Sequence, residues 1–418
     1  MTEESGGLRQ ELLNRGILLT YLVCIVTTTT EGTQNLLFPL YLADHGYALT
    51  AIGTLSSVLG VLRLASRVPI GARYRGSRAR VQQLFWLVLF ALSTSGYAFA
   101  RGELALVLLV TVLHGFSFGA LGTINLAVAI DISGGRRAGA VMGWYTAALS
   151  IGYGVGAFAA GALADRVGID AALFWLGLSP LLAIAAVWLT PLVADHDRAA
   201  ATAGLGWWRR GRTAFAGIDG RVWIAFAIVL FLNILSDSTD TFFPLYGTAI
   251  GLPVTLIGGL KGARSIAATG IRFASAAVFR FVDFRVVNFW AVIVFGAITF
   301  AIPLVGGPFA IGILILLFAV GGLCRGILRV TSAATIADLR REGRDIGLSS
   351  GIYNAGLDIG SIVGPAAGGI VASAVGIPAM FQLLAAGGLG LYFAVALSTR
   401  SGRSALTIMP RGKVSAPR

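Results

Sequence analysis

Long apolar segments recur along the whole chain, and each is about as long as a lipid bilayer is thick. In helical conformation, roughly 20 apolar residues cross about 30 Å of hydrocarbon. Only a helix satisfies all of its own backbone hydrogen bonds where water is absent. Twelve such segments occur, at residues 17–43, 50–72, 81–100, 104–130, 138–163, 170–193, 221–249, 254–280, 285–305, 308–337, 346–374 and 378–398. The sequence therefore predicts an all-α membrane protein with twelve transmembrane helices.

The composition excludes a soluble domain of this length. Of the 418 residues, 56% are hydrophobic and 12% are charged, which is about half of the charged share of soluble proteins. The net charge of +13 is concentrated in particular loops, so we expect no nucleic acid partner. The two cysteines lie inside apolar segments and form no disulfide or zinc pattern. The N-terminal stretch is not typical of a cleaved signal peptide.

Arginine residues alternate between loops and predict the orientation of the chain. The loops that share a side with both termini hold most of them, and the opposite loops hold only Arg101 and Arg166. The positive-inside rule then places both termini in the cytoplasm, with the chain in a bacterial inner membrane. We expect five regions: a cytoplasmic N-terminal segment at 1–16, a six-helix half at 17–193, a cytoplasmic linker at 194–220, a second six-helix half at 221–398 and a basic cytoplasmic tail at 399–418.

The two halves resemble each other in sequence. Phe38-Pro39-Leu40-Tyr41 recurs 205 positions later as Phe243-Pro244-Leu245-Tyr246. A second set of matches, 208 positions apart, pairs Gly139, Gly143, Tyr145, Leu149, Gly152, Gly156, Gly161 and Val167-Gly168 with Gly347, Gly351, Tyr353, Leu357, Gly360, Gly364, Gly369 and Val375-Gly376. Because six is an even number, both halves begin on the same side of the membrane. The halves are therefore parallel repeats, an arrangement that binds substrate near the midplane between them.

The glycines of the eleventh segment have a specific spacing. The run Gly351-x8-Gly360-x3-Gly364-Pro365-x2-Gly368-Gly369 is similar to a motif of drug:proton antiporters in the major facilitator superfamily. The chain resembles that family from about residue 17 to residue 398, and the resemblance implies a secondary transporter that works by alternating access. In the family this motif usually lies on helix 5.

The chain departs from the family pattern at two places. The fifth segment has Ala157 where the motif has proline and Ala160 where it has the first glycine of the pair. In the loop after the second segment, Gly71 is followed by Arg75, whereas the family has an acidic residue four positions after the glycine. These departures weaken the inference of antiport and of a gating salt bridge in that loop.

Eleven ionisable residues lie inside the predicted helices, where insertion costs about 2.5–3.5 kcal/mol for each charge at a helix centre. They fall on segments 1, 2, 7, 8, 10 and 11, whereas segments 3, 6, 9 and 12 have none between their ends. The resemblance implies the same division into cavity-lining and lipid-facing helices. Seven bases against four acids favour an anionic or zwitterionic substrate with carboxylate or phosphate groups.

We assign three roles to polar residues inside the membrane. The candidates for substrate binding are Arg63, Lys261, Arg264, Arg325, Asn35 and Asn354. The candidates for proton coupling, where a carboxylate or imidazole in a region of low dielectric exchanges a proton, are Glu31, Asp237, Asp240, Asp358 and His114. The candidates for gating, which lie toward the cytoplasmic ends of their helices, are Arg67, Arg272 and Arg329.

Together these features predict a monomeric, proton-coupled secondary transporter that exports a small organic solute. Its partners would be the solute, protons and membrane lipids, and we expect no cofactor or metal. The chain has no Gly-x4-Gly-Lys-Ser/Thr loop for ATP and no nucleophile–base pair typical of an enzyme. Two alternatives remain open: a proton-symport importer of an organic anion and, in another class, a lipid flippase or a non-transporting membrane sensor.

Overall fold

The computed structural model describes residues 15–132, 138–191, 219–278, 284–341 and 346–398. The predicted tail at 399–418 lies outside these ranges, as do all but two residues each of the predicted N-terminal segment and linker. Throughout the described ranges the chain is helical, and none of these residues belongs to a β-strand. The all-α prediction is therefore confirmed.

Twelve helical spans make up the described part of the chain. The first half contains α1 (Arg15–Asp44), α2 (Leu49–Arg73), α3 (Ala79–Ala100), α4 (Leu104–Ile132), α5 (Ala138–Val167) and α6 (Ile169–Leu189). The second half contains α7 (Gly220–Ala249), α8 (Val254–Val278), α9 (Phe284–Ala301), α10 (Ala310–Arg341), α11 (Ile346–Val375) and α12 (Ile377–Ser398). The predicted number of spans is confirmed.

Ten of these spans are long and apolar enough to cross a membrane by composition alone. The other two are α1, with a run of four threonines followed by Glu31, and α8, with Lys261, Arg264 and Arg272. Both are too polar to face lipid, and α1 is buried along most of its length. The two least apolar spans therefore lie where other helices surround them.

One predicted helix is wrong in detail. The sixth segment was expected to run from 170 to 193, but α6 is interrupted by a tight 3₁₀ turn at Ser179–Leu182 and ends at Leu189. Proline is the cause at both places, because it has no N–H to donate and its ring clashes with the preceding turn. Pro180 lies in the 3₁₀ turn and Pro191 follows the end of the helix.

Both termini of the helical bundle lie on one face, which we call the termini face, and we call the opposite one the far face. Each of the six turns on the far face contains a glycine in the left-handed region, with φ between 72° and 86°, at Gly46, Gly102, Gly168, Gly251, Gly307 and Gly376. Glycine adopts this conformation without the steric cost that a Cβ atom adds. The three glycines of the second half repeat those of the first at offsets of 205 and 208.

The glycine motif packs helices against each other inside each half. A Cβ atom on Gly156 of α5 would lie 1.9 Å from the carbonyl oxygen of Thr29 on α1. Its repeat equivalent on α11, Gly364, would place a Cβ atom 2.7 Å from the carbonyl oxygen of Ile234 on α7. Contacts this close require glycine, which lets two helix backbones approach each other. The motif thus holds α5 on α1 and α11 on α7.

A single apolar cluster closes the far face across both halves. It joins Phe38 and Tyr41 of α1 to Phe243 and Tyr246 of α7, all buried, together with residues from nine other spans. Toward the termini face, the apolar clusters each belong to one half only. The side chain of Arg67, in the termini-face half of α2, is 53% exposed. Apolar contacts therefore pack the two halves together at the far face, whereas the apolar clusters toward the termini face leave the halves unjoined.

We expect Gly156→Ala to destabilise the protein, because the added methyl group collides with the backbone of α1. Overpacking of this kind costs about 1–3 kcal/mol. The measurement is the apparent melting temperature of the purified protein in detergent. Gly143→Ala on the same helix is the matched control, since a Cβ atom there meets nothing within 4 Å. Equal melting temperatures for the two variants would contradict this account of the packing.

Candidate functional site

A buried carboxylate lies at the centre of the first half. Glu31 on α1 is fully buried, and its two oxygens have different partners. One oxygen accepts a hydrogen bond from the Arg63 guanidinium on α2. The other lies 3.1 Å from Nε2 of His114 on α4. Three helices thus meet at one carboxylate, and the imidazole is fully buried beside it.

His114 also has a polar neighbour at its other ring nitrogen. The Thr94 hydroxyl lies 2.8 Å from the carbonyl oxygen of Phe90, to which it donates, and its oxygen lies 3.0 Å from Nδ1 of His114. When Nδ1 carries a proton and donates it to Thr94, a hydrogen bond between Nε2 and Glu31 needs one further proton between them. Glu31 and His114 are thus an acid and a base in direct, fully buried contact.

A second ionic group lies in the other half around Asp240 of α7. Arg264 of α8 donates a hydrogen bond to one oxygen of Asp240. Lys261 Nζ lies 3.5 Å from the same oxygen, and Arg325 Nη1 of α10 lies 3.8 Å from the other. Asp237, one turn earlier on α7, also interacts electrostatically with Arg264. The group has more bases than acids, so it attracts anions.

Lys261 also joins two backbone carbonyls that belong to different halves. Its ammonium donates to the carbonyl oxygens of Asn35 on α1, at 2.9 Å, and of Asp240 on α7, at 3.1 Å. In an intact helix these carbonyls would accept from residues 39 and 244, but both are proline and have no N–H. The repeated Phe-Pro-Leu-Tyr sequence therefore frees one carbonyl in each half, and Lys261 satisfies both.

Two arginines of α10 carry hydrogen-bond donors without acceptors. Arg325 makes no hydrogen bond to another described residue, and its Nε is buried without a partner. Arg329, one turn later, donates through Nη2 to Asn233 Oδ1 at 3.2 Å, and its Nε is likewise without an acceptor. Positions four apart lie on the same helix face. An anionic group between these side chains would supply the missing acceptors.

The predicted gating arginines Arg67 and Arg272 each connect the two halves, and their partners are repeat-related. Arg67 of α2 forms an ion pair with Asp358 of α11, at 3.0 Å. Arg272 of α8 donates to Ser150 of α5, at 2.8 Å. Ser150 and Asp358 are 208 positions apart, and the two arginines are 205 apart. The two halves thus contact each other through the same two repeat positions at both interfaces, α2 with α11 and α8 with α5.

Most of the predicted site residues form three groups, and Arg272, Arg329 and Asn354 lie outside them. Glu31, Arg63 and His114 lie together, Asn35 and Asp237 join the group around Asp240, and Asp358 is paired with Arg67. Asn354 is exposed on α11, one turn before Asp358.

Sequence reasoning missed four contributors: Thr94, Asn233, Ser150 and Tyr153. Tyr153 of α5 interacts electrostatically with Glu31 in one half and with Arg325 in the other. Tyr153 therefore lies near both of the first two ionic groups. Comparison of the repeats would have identified Ser150, since it aligns with Asp358. No sequence signal distinguished the other three.

A sequence model of the Major Facilitator Superfamily matches residues 20–310 and 285–411. The chain belongs to this family. Two solved structures of the nucleoside transporter NupG are similar in fold. The superposition on a point mutant of NupG has a TM-score of 0.74 and covers 91% of this chain and 99% of the NupG chain. The other, with a TM-score of 0.69, covers 92% and 99%. Both are 14% identical in sequence to this chain. No protein with a curated description matches the sequence.

Membership of this superfamily identifies the chain as a multi-pass membrane transporter and confirms the two parallel six-helix halves. It also accounts for the position of the ionic groups, because the substrate sites of such transporters lie between the halves near the midplane. In this chain that central region contains one buried carboxylate–imidazole pair and one group rich in cations.

We expect Lys261→Met to lower the melting temperature in detergent, because it leaves the carbonyls of Asn35 and Asp240 without a donor. Each unsatisfied buried group costs about 1–3 kcal/mol. Adding Pro39→Ala and Pro244→Ala restores an N–H for each carbonyl, so the triple variant should regain part of the loss. The two proline substitutions in the presence of Lys261 are the control. No recovery in the triple variant would contradict this role of Lys261.

Proposed function

We propose that the protein is a proton-coupled secondary transporter that moves a small organic anion by alternating access. The observation that carries the proposal is the buried Glu31–His114 pair, in which a carboxylate and an imidazole lie 3.1 Å apart, the distance at which the two groups share one proton in a hydrogen bond. The pair lies on α1 and α4, whereas the cation-rich group lies on α7, α8 and α10. Proton and anion therefore have separate sites, and Tyr153 lies near both.

Gain or loss of the shared proton changes the electrostatics of the cavity. With the proton present, Glu31, His114 and Arg63 together carry one net positive charge. Without it, the Nε2 lone pair faces a carboxylate oxygen at 3.1 Å, which is repulsive, and only Arg63 compensates the carboxylate. A bound anion therefore stabilises the protonated state, and protonation strengthens anion binding, as linkage requires.

The substrate class follows from the donors that α10 leaves unused. Arg325 is 20% exposed and has no hydrogen bond to any other residue in the described ranges. Guanidinium groups bind carboxylate and phosphate through paired N–H donors. We infer that Arg325 and Arg329 bind the anionic group, and that Arg264 and Lys261 hold Asp240 beside it.

Because protonation and anion binding strengthen each other, proton and anion would cross the membrane together. This favours symport, in which the proton gradient drives uptake of the anion. Export, which the glycine motif favours at the level of sequence, is the second candidate. Antiport would require the proton and the substrate to compete for one site. Because the fold is similar to that of the nucleoside transporter NupG, nucleosides are the neutral comparison for the anions in a substrate screen.

The environment that we propose follows the distribution of arginine. The termini face would be cytoplasmic, and the protein would be a monomer in a bacterial inner membrane, in contact with lipid through the exposed apolar side chains of α3, α6, α9 and α12. The two halves would meet at a cytoplasmic linker at 194–220. In this orientation the far face, where apolar contacts pack the two halves together, would lie away from the cytoplasm.

We expect Glu31→Gln to abolish accumulation driven by a proton gradient while leaving exchange of substrate across the membrane intact. The amide has nearly the same shape but no exchangeable acidic proton. The measurement is uptake and counterflow of labelled mono- and dicarboxylates, phosphorylated metabolites and nucleosides in proteoliposomes. His45→Gln, on a far-face turn, is the control and should accumulate normally.

Three outcomes would contradict the proposal. Accumulation by Glu31→Gln at the rate of the unmodified protein would remove proton coupling through this pair. Absence of saturable flux for every solute, together with transbilayer movement of labelled lipid, would favour a flippase instead. Acidification of the lumen against substrate inflow would indicate export by antiport.

We expect Arg325→Gln to raise the KM for the anionic substrate about tenfold or more, because one hydrogen bond to a charged group is worth about 1.5–3 kcal/mol. Arg325→Lys keeps the charge but loses the paired donors, so its KM should lie between that of the unmodified protein and that of Arg325→Gln. Arg166→Gln, exposed at the far-face end of α5, is the control. An unchanged KM for Arg325→Gln would exclude Arg325 from the binding site.

A further inference from the structure

A carboxylate of one half binds the beginning of a helix in the other half at the far face. Asp165, near the end of α5, accepts hydrogen bonds from two successive backbone N–H groups at the start of α8. Its oxygens lie 3.0 Å from the nitrogen of Val254 and 2.7 Å from that of Thr255. These N–H groups have no partner inside their own helix, and the helix dipole favours a negative charge beside them.

The backbones at this contact approach very closely. A Cβ atom on Gly161, one turn before Asp165, would lie 2.3 Å from the carbonyl oxygen of Val254. Further along α8, a Cβ atom on Gly258 would lie 2.2 Å from the carbonyl oxygen of Ala157. The end of α5 and the start of α8 are therefore seated against each other, and Asp165 lies at the outer edge of that interface, exposed to solvent.

The repeat-related interface has a weaker contact at the same place. Ser373 of α11 lies 208 positions after Asp165, and Thr50 of α2 lies 205 positions before Thr255. Their hydroxyl oxygens are 2.6 Å apart. At the start of α2, the N-cap residue Ala48 supplies no side-chain hydrogen bond. The same repeat position thus contacts the start of the opposing helix at both interfaces, as the carboxylate Asp165 at one and as the hydroxyl of Ser373 at the other.

We propose that Asp165 is a gating residue that holds the far face closed through its bond to the start of α8. The two helix ends belong to different halves, so they must separate when the far face opens, and both hydrogen bonds are then lost to water. The bond therefore biases the protein toward the state that is open at the termini face. This role needs only alternating access and depends neither on the substrate nor on proton coupling.

The test measures opening of the far face directly. Spin labels on Ala48→Cys and Ala249→Cys report the distance between exposed positions of the two halves on that face, and the native cysteines, Cys24 and Cys324, are buried. In Asp165→Ala we expect a second, longer distance. Its population relative to the short one should rise about tenfold, since hydrogen bonds to a charged group contribute at least that factor.

Three further variants separate gating from a general loss of structure. Asp165→Asn keeps an acceptor without the charge and should give an intermediate population. Asp170→Asn, which removes another exposed carboxylate near the same face, should leave the distances unchanged. Adding Ser373→Asp to Asp165→Ala places a carboxylate at the start of α2 and should restore the short distance. A distance distribution for Asp165→Ala that equals that of the unmodified protein would overturn the proposal.

Discussion

The centre of the molecule depends on the bond between Lys261 and two backbone carbonyls. Proline in α1 and α7 removes one helix hydrogen bond from each half, and within a bilayer an unsatisfied carbonyl is costly. A lysine ammonium satisfies both carbonyls but brings a charge, which needs Asp240 nearby. Asp240 in turn attracts Arg264 and Arg325. A cation-rich group at the centre of the molecule thus follows, step by step, from two prolines.

The two halves share a backbone plan but differ in their ionic chemistry. The positions that correspond to Glu31 and Arg63 in the first half are Ser236 and Ala268 in the second. The position that corresponds to Lys261 is Ser56. One half therefore holds the carboxylate–imidazole pair and the other holds the group around Asp240 that is rich in cations. Duplication supplied the geometry, and divergence at a few positions gave each half a separate task.

Sequence reasoning predicted what depends on periodicity and composition. The twelve spans, the parallel repeat and the presence of Glu31 and Lys261 inside the membrane all follow from apolar runs and the cost of buried charge. Partners were harder to predict, because helix rotation and neighbour choice depend on packing across the whole bundle. Thus the pairing of Glu31 with His114, or of Arg67 with Asp358, could not be read from the chain.

The far-face turns have a mechanical consequence. Each contains one glycine in the left-handed conformation, which lets the chain reverse direction within a few residues. The two helices joined by such a turn stay adjacent along their length, because the connection is too short to let them part. In the alternating access that we propose, each half would therefore turn as a unit, with the hinge in the contacts between the halves.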